Sequence, residues 1–187
     1  MDQDLVVRAQ QGDRRAFETL ALDSHPRLHK VAYGILRDAA LAEDVTQQAL
    51  LDIWRNLGSL RDPHRYDGWS YRILVNACHA EARRMPTWLP DSEVTSADEP
   101  RAADAFLRVD DRDQLERGFR ELSVDHRTVL VLHYLLDLTQ EQVAEVLGVP
   151  AGTVASRLNR ATRLMREFLD AGVTSDRPVE VAAGAAR

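Results

Sequence analysis

The sequence predicts an all-α protein made of two small helical domains joined by an acidic flexible linker, the C-terminal domain being a helix-turn-helix. Three observations carry this. Apolar residues recur at helical spacing almost throughout, and no convincing run alternates apolar and polar residues, so strands are not expected. The middle of the chain is rich in Asp, Glu, Ser, Ala and Pro, a composition that cannot bury a core. Near the C-terminus a short capped helix, a Gly- and Pro-containing turn and a longer helix follow one another.

The chain has 187 residues, enough for one medium domain or two small ones. Its 44% hydrophobic and 29% charged content are ordinary for a soluble globular protein. No apolar run approaches the roughly 18 residues of a membrane span. The start, Met1-Asp2-Gln3-Asp4, is acidic and lacks the basic-then-apolar order of a secretory signal, so a cytoplasmic protein is expected. The single cysteine, Cys78, can form neither an internal disulfide nor a cysteine-rich zinc site, and is expected to be a small buried side chain.

The net charge of −6 argues against a free-standing DNA binder, which usually carries a basic footprint. The charge is nevertheless sorted along the chain. Positions 157–166 hold four arginines and no acid, whereas positions 85–121 hold ten acids and five arginines. The local sign is what a polyanion meets.

The N-terminal domain is expected over residues 1–84, with helices broken near 23–26, 37–38 and 58–68. One helix there needs two partners. Leu41, Val45, Ala49, Ile53 and Leu57 form a core-facing stripe interrupted by Asp52. The far side carries Asp44, Gln47, Leu50, Leu51 and Trp54, and apolar groups among short polar ones mark an interaction surface. The linker spans 85–109, the second domain 110–170, and a flexible tail 171–187.

In the second domain Ser123 is placed to cap a helix running through Val129, Leu130, Leu132 and Leu135. Thr139 and Gln142 make a capping box for a short helix that ends at Gly148. The last helix is expected to start near Thr153. On a wheel of about 100° per residue, Val154, Leu158, Ala161, Met165 and Phe168 share a core-facing stripe. Thr153, Ser156, Asn159, Arg160 and Arg163 lie opposite, with Arg157 on the flank. Short donors at the start of such a helix reach base edges in a major groove, and arginines grip phosphates or guanines.

These residues carry a specific resemblance. The stretch 138–150 (Leu-Thr-Gln-Glu-Gln-Val-Ala-Glu-Val-Leu-Gly-Val-Pro), followed by 152–161 (Gly-Thr-Val-Ala-Ser-Arg-Leu-Asn-Arg-Ala), resembles the −35-reading domain of extracytoplasmic-function (ECF) sigma factors. The stretch 42–54 (Ala-Glu-Asp-Val-Thr-Gln-Gln-Ala-Leu-Leu-Asp-Ile-Trp) is similar to the segment of that family that binds the polymerase β′ coiled coil. The stretch 69–76 (Trp-Ser-Tyr-Arg-Ile-Leu-Val-Asn), ending in Arg83-Arg84, resembles the family's −10-reading helix. This chain departs from the family pattern at Gln48, Leu50, Ala80, Ala155 and Asn159.

The resemblance implies a factor that binds core RNA polymerase through the β′ coiled coil and the β subunit and directs promoter-specific initiation. It implies polymerase contacts at Asp44, Gln47, Gln48, Leu51 and Trp54. It places −35 contacts at Thr153, Ser156, Arg157, Asn159, Arg160 and Arg163. It places −10 contacts at Tyr66, Arg72, Asn76, Arg83 and Arg84, with Tyr66 in the loop before the helix and Asn76 in the helix forming a flipped-base pocket. Trp69 is expected to pack in the core. An anti-sigma factor is expected as a further partner; no cofactor, metal, catalytic residue or small-molecule substrate is.

The alternative is a stand-alone helix-turn-helix regulator, which would bind DNA without polymerase. An enzyme reading rests on His25 and His29, four residues apart. It is disfavoured because His25 precedes Pro26, which opposes helix geometry, and no third metal ligand or acidic base is suggested nearby.

Overall fold

The computed structural model describes residues 2–84 and 109–175, and every regular element among them is helical. The linker expected over 85–109 lies outside the described residues except for its last position. That position already belongs to the first helix of the C-terminal block.

The N-terminal block contains α1 (Gln3–Gln10), α2 (Arg14–Leu36), α3 (Ala39–Asn56) and α4 (Tyr66–Arg84). Each corner has a local cause. Gly12 turns the chain at φ +91°, and the Asp13 carboxylate accepts the Ala16 N–H at 3.1 Å to start α2. Arg37, left-handed at φ 60°, ends α2, and Asp38 at once caps α3 through the Leu41 N–H at 2.9 Å.

The break expected at 23–26 is absent: α2 runs straight through Pro26. Pro26 is exposed, and so is Leu22, whose carbonyl loses its N–H partner to the proline ring. That carbonyl is at the wet side of the helix, which lowers the cost of the interruption. The other side is held inward by Leu20, Leu28, Val31 and Ile35, all nearly fully buried.

Helix α3 buries Ala42, Val45, Thr46, Ala49 and Ile53, while the expected Leu41 is only half-buried. Two 3-10 turns, Leu57–Ser59 and Pro63–Arg65, lead to α4. Gly68 therefore falls inside the first turn of α4 rather than in a break. The Gln10 side-chain amide donates to the carbonyls of Leu57 (3.1 Å) and Leu60 (2.6 Å), pinning α1 on this corner.

The C-terminal block contains α5 (Val109–Glu121), α6 (Val124–Leu130), a π-helical turn (Val131–Leu135), α7 (Gln140–Leu147) and α8 (Ala151–Ser175). Ser123 caps α6 as expected. Leu135, read from the sequence as part of the same helix as Val129, Leu130 and Leu132, is 37% exposed. The π turn widens the helix and shifts the phase of its last residues, so Leu132 stays buried while Leu135 turns outward. The Thr139–Gln142 capping box forms in both directions, and Gly148 ends α7 at φ 66°. Helix α8 begins at Ala151, before the expected Thr153, because the Pro150 carbonyl already accepts the Thr153 and Val154 N–H groups. It runs on to Ser175, into the segment expected as a tail.

The two blocks pack on each other, and their buried apolar residues form one continuous cluster. The π turn lies against α2, and α7 lies against α4. Gly34 makes the approach to the π turn possible: a Cβ there would stand 2.7 Å from Val131 Cγ2.

Candidate nucleic-acid and polymerase interfaces

Helix α8 divides as its sequence requires. Val154, Leu158 and Ala161 are buried. Ser156, Asn159, Arg160 and Arg163 are exposed, and Thr153 and Arg157 are partly so. Burial of the first stripe over α6 and α7 fixes the rotation of the helix, and thereby presents the polar face outward. The Ser156 hydroxyl donates to the Thr153 carbonyl at 2.9 Å. Arg163 pairs loosely with Glu167 at 3.6 Å, both well exposed. Arg157 is held more firmly: its guanidinium lies 2.9 Å from the Asp125 carboxylate of α6. Beside it, burial and the nearby Arg160 hold His126 below its ordinary value of 6.5. The face is thus electropositive, built from cations that a phosphate backbone can recruit.

Helix α4 carries the second candidate surface. An open cleft of about 350 Å³ is lined by Asn56, Ser59, Trp69, Arg72, Ile73 and Asn76. Arg72 and Asn76 are exposed, one helical turn apart on its rim, and Arg83 and Arg84 are exposed at the end of the same helix. Arg84 makes a 3.3 Å ion pair with Glu81. Tyr66 does not join this surface. It is the first residue of α4 rather than part of the preceding loop, and it is 1% exposed. Its hydroxyl lies 3.2 Å from Ser24 Oγ, and burial raises its pKa. Buried inside the block, the Tyr66 ring offers no face for a base to stack on. The aromatic that does line the cleft is Trp69, expected in the core but only partly buried.

Helix α3 presents the third surface. Asp44, Gln47, Gln48, Leu51 and Trp54 are all exposed, at spacings that place them along one side of the helix. Leu51 is 51% and Trp54 39% exposed, unusual for side chains of this size. Trp54 is steadied by Phe17, with ring centroids 4.5 Å apart. Leu50, read with this face from the sequence, instead packs partly against the core. Gln47 donates to Glu43 Oε1 at 2.7 Å, which with His25 holds that carboxylate below its usual range.

The His25–His29 pair lies on an unbroken helix, with the two rings parallel and 6.0 Å apart. Contrary to the sequence reading, an acidic neighbour exists. Glu43 of α3 lies 3.3 Å from His25 Nε2 and 3.8 Å from His29 Nε2. Two imidazoles thus flank one carboxylate; among the described residues no three His, Cys, Asp or Glu side chains are arranged to hold a metal. Cys78 is fully buried, and burial pushes its thiol up to about 12. None of the helices among the described residues is long and apolar enough to cross a membrane.

Five residues at or behind these surfaces escape the sequence reading. Asn56 and Ser59 reach the cleft only because the 3-10 turn folds back beside α4. Asp125 meets Arg157, and His79 meets Thr128, through packing that no local spacing reveals.

Comparison with known proteins gives a consistent result. Residues 20–85 match the family model described as sigma-70 region 2, and residues 112–165 match that of sigma-70 region 4. The chain is 35% identical over 184 residues to the RNA polymerase sigma-H factor of Pseudomonas aeruginosa, covering 90% of this chain and 92% of that protein. It is 34% identical to the ECF sigma factor SigM of Mycobacterium tuberculosis, covering 92% and 88%. It is 31% identical to the ECF sigma-E factor of Escherichia coli, covering 90% and 92%. Among solved structures, it shares its fold with CnrH bound to the cytosolic domain of CnrY, with a TM-score of 0.67 and 24% identity over 91% of this chain and 97% of that one. It also shares it with RpoE of Bartonella quintana bound to the anti-sigma factor NepR, with a TM-score of 0.65 and 24% identity over 86% and 98%.

Proposed function

The chain belongs to the ECF subfamily of RNA polymerase sigma factors, which bind core polymerase and direct promoter-specific initiation, and from that premise we propose how its own residues divide the work. Residues 1–84 form the unit that docks on polymerase and reads the −10 element. Residues 110–170 form the unit that reads the −35 element, and 85–109 connect them.

The −35 reader is the exposed face of α8. Ser156 and Asn159 supply hydrogen-bonding groups to base edges, Thr153 stands at the helix start, and Arg157, Arg160 and Arg163 take phosphates or guanines. The observation that carries this is the rotation of α8: Val154, Leu158 and Ala161 are locked inward, so Asn159 and Arg160 must face out.

The −10 reader is the cleft beside α4. A base extruded from the duplex needs an aromatic wall and amide groups. Trp69 supplies the first in place of Tyr66, and Asn76 and Asn56 supply the second. Arg72, Arg83 and Arg84 hold the backbone of the same strand. The polymerase contact is the α3 face of Asp44, Gln47, Gln48, Leu51 and Trp54, fitted to the β′ coiled coil, while the −35 unit meets the β subunit. The protein acts in the cytoplasm, needs no cofactor, and is held in check by an anti-sigma factor, as the Bartonella RpoE is seen bound to such a partner.

Run-off transcription with core polymerase tests the division. Asn159→Ala is expected to relax selection at one −35 position, and Trp69→Ala to impair promoter opening while leaving closed-complex binding intact. Loss of −10 selectivity from the α8 substitution would overturn it.

A further inference from the structure

Resting on the reading of α8 as the −35 helix, we propose that His126 of α6 is a further contact residue of that reader. It closes on a phosphate of the promoter as an imidazolium, so that binding of the −35 element takes up a proton.

Packing within the C-terminal block puts His126 at the edge of the reading face. Helix α6 lies against α8, and the Asp125 carboxylate holds the Arg157 guanidinium at 2.9 Å, which fixes the first turn of α6 beside the second turn of α8. His126 is the next residue of that turn, and the Ser123 hydroxyl oxygen accepts its backbone N–H at 3.3 Å. Its side chain is partly exposed. Among the described residues its ring takes part in no hydrogen bond, ion pair or ring contact, so its nitrogens remain uncommitted. Arg157 and Arg160, cations of the reading face, stand near enough to act on it. A phosphate that those two arginines recruit therefore arrives within the field of the imidazole.

The charges around the ring give it two states. In the free protein burial is the largest influence, and Arg160 and Arg157 of α8 add to it against Asp125, so the ring stays below 6.5. Asp125 is itself shared, with Arg157 at 2.9 Å and His79 of α4 at 3.7 Å. At pH 7.5 the free ring is then charged in about a tenth of molecules or fewer. A phosphate reverses the balance. It neutralises the arginines that repel the proton, and its oxygen accepts an N–H from the charged ring. An adjacent opposite charge shifts a pKa by about one unit or more. One unit corresponds to about tenfold in affinity. The bound form holds the extra proton, so affinity rises as pH falls through the bound value and levels off below the free one. An arginine in this place would grip DNA at every pH, whereas a histidine adds its grip only towards acid.

The test uses the full chain assembled with core polymerase and a labelled upstream duplex that carries the −35 element but ends before −10. Fluorescence anisotropy gives Kd from about pH 6 to about pH 8.5. His126→Gln is expected to match the wild type at the alkaline end and to bind about tenfold more weakly at the acid end. His126→Lys keeps a cation at every pH and is expected to hold the tight value throughout. The other five histidines are common to all three proteins, so their titration cancels in the comparison. A backbone contact also requires that at the acid end the salt dependence of the wild type be steeper than that of His126→Gln by about one phosphate, and that the two slopes coincide at the alkaline end. Superimposable or parallel pH profiles for the wild type and His126→Gln overturn the proposal, as does a difference confined to one −35 base with no change in salt slope. The α8 assignment is judged separately: Arg160→Ala with Arg163→Ala must weaken the same complex at every pH, whatever His126 does.

Discussion

Replacing Leu51 separates docking from folding more cleanly than any other position on α3. Its side chain is 51% exposed, so about half its surface remains for a partner to cover. Full burial of a leucine contributes roughly 1.5–3 kcal/mol, and half of that is about 1 kcal/mol. Leu51→Ala should therefore weaken binding to core polymerase about fivefold. Leu51→Asp adds an unpaired charge to a covered interface, and should cost at least another factor of about ten. Neither change touches the core, and both should leave the melting temperature of the free protein within the small range of surface substitutions, about 0.5 kcal/mol. Fluorescence anisotropy of the labelled protein titrated with core polymerase gives the Kd, and calorimetry of the free protein gives the control. Trp54 is a poorer probe because it also packs on Phe17. A Leu51→Asp protein that binds polymerase with wild-type affinity would show that the exposed α3 face is not the docking surface.

Three further outcomes are expected on stability and reactivity. Burial holds both His79 and His126 below their ordinary value of 6.5, with Asp125 opposing the shift, Arg83 and Arg157 adding to it at His79, and Arg160 and Arg157 adding to it at His126. The unfolded chain then binds protons near pH 6.5 before the folded one does. Stability should fall as pH drops below about 7, and His79→Gln should flatten part of that fall; a melting temperature rising on acidification would contradict it. Thr139→Ala removes the acceptor of the Gln142 N–H and should cost about 1 kcal/mol, seen as a melting point lower by about 2–4 °C and faster amide exchange at Gln142. Cys78, with its thiol near 12 and no exposed surface, should resist iodoacetamide at pH 8 in the native protein and react only in denaturant, so ready native alkylation would show that α4 opens.

Much of the fold is legible because helix signals are local. The Thr139–Gln142 box, Gly148 and the Val154–Leu158–Ala161 stripe each depend on residues within one or two turns, and the structure realises all three. Errors arise where a local rule meets a tertiary setting. Pro26 argues for a break when read alone, yet its exposed position makes it tolerable inside α2. Leu135 fits a helical stripe until the π turn shifts its phase. Tyr66 reads as a loop residue from its place in a motif, but α4 begins at it and buries its ring. The cleft residues Asn56 and Ser59, and the contacts of His79 and Asp125, arise between segments far apart in the chain, and no spacing pattern encodes them.

The most direct test of the account concerns the outward face of α8. Run-off transcription should be read by sequencing from a promoter library randomised at the −35 and −10 elements, comparing the wild-type protein with Asn159→His. A side chain that touches a base edge sets about 1–3 kcal/mol of discrimination at that base. The account predicts a changed preference at one or two adjacent −35 positions and an unchanged −10 preference. An identical −35 preference in the two proteins, with activity altered evenly across the library, would contradict it.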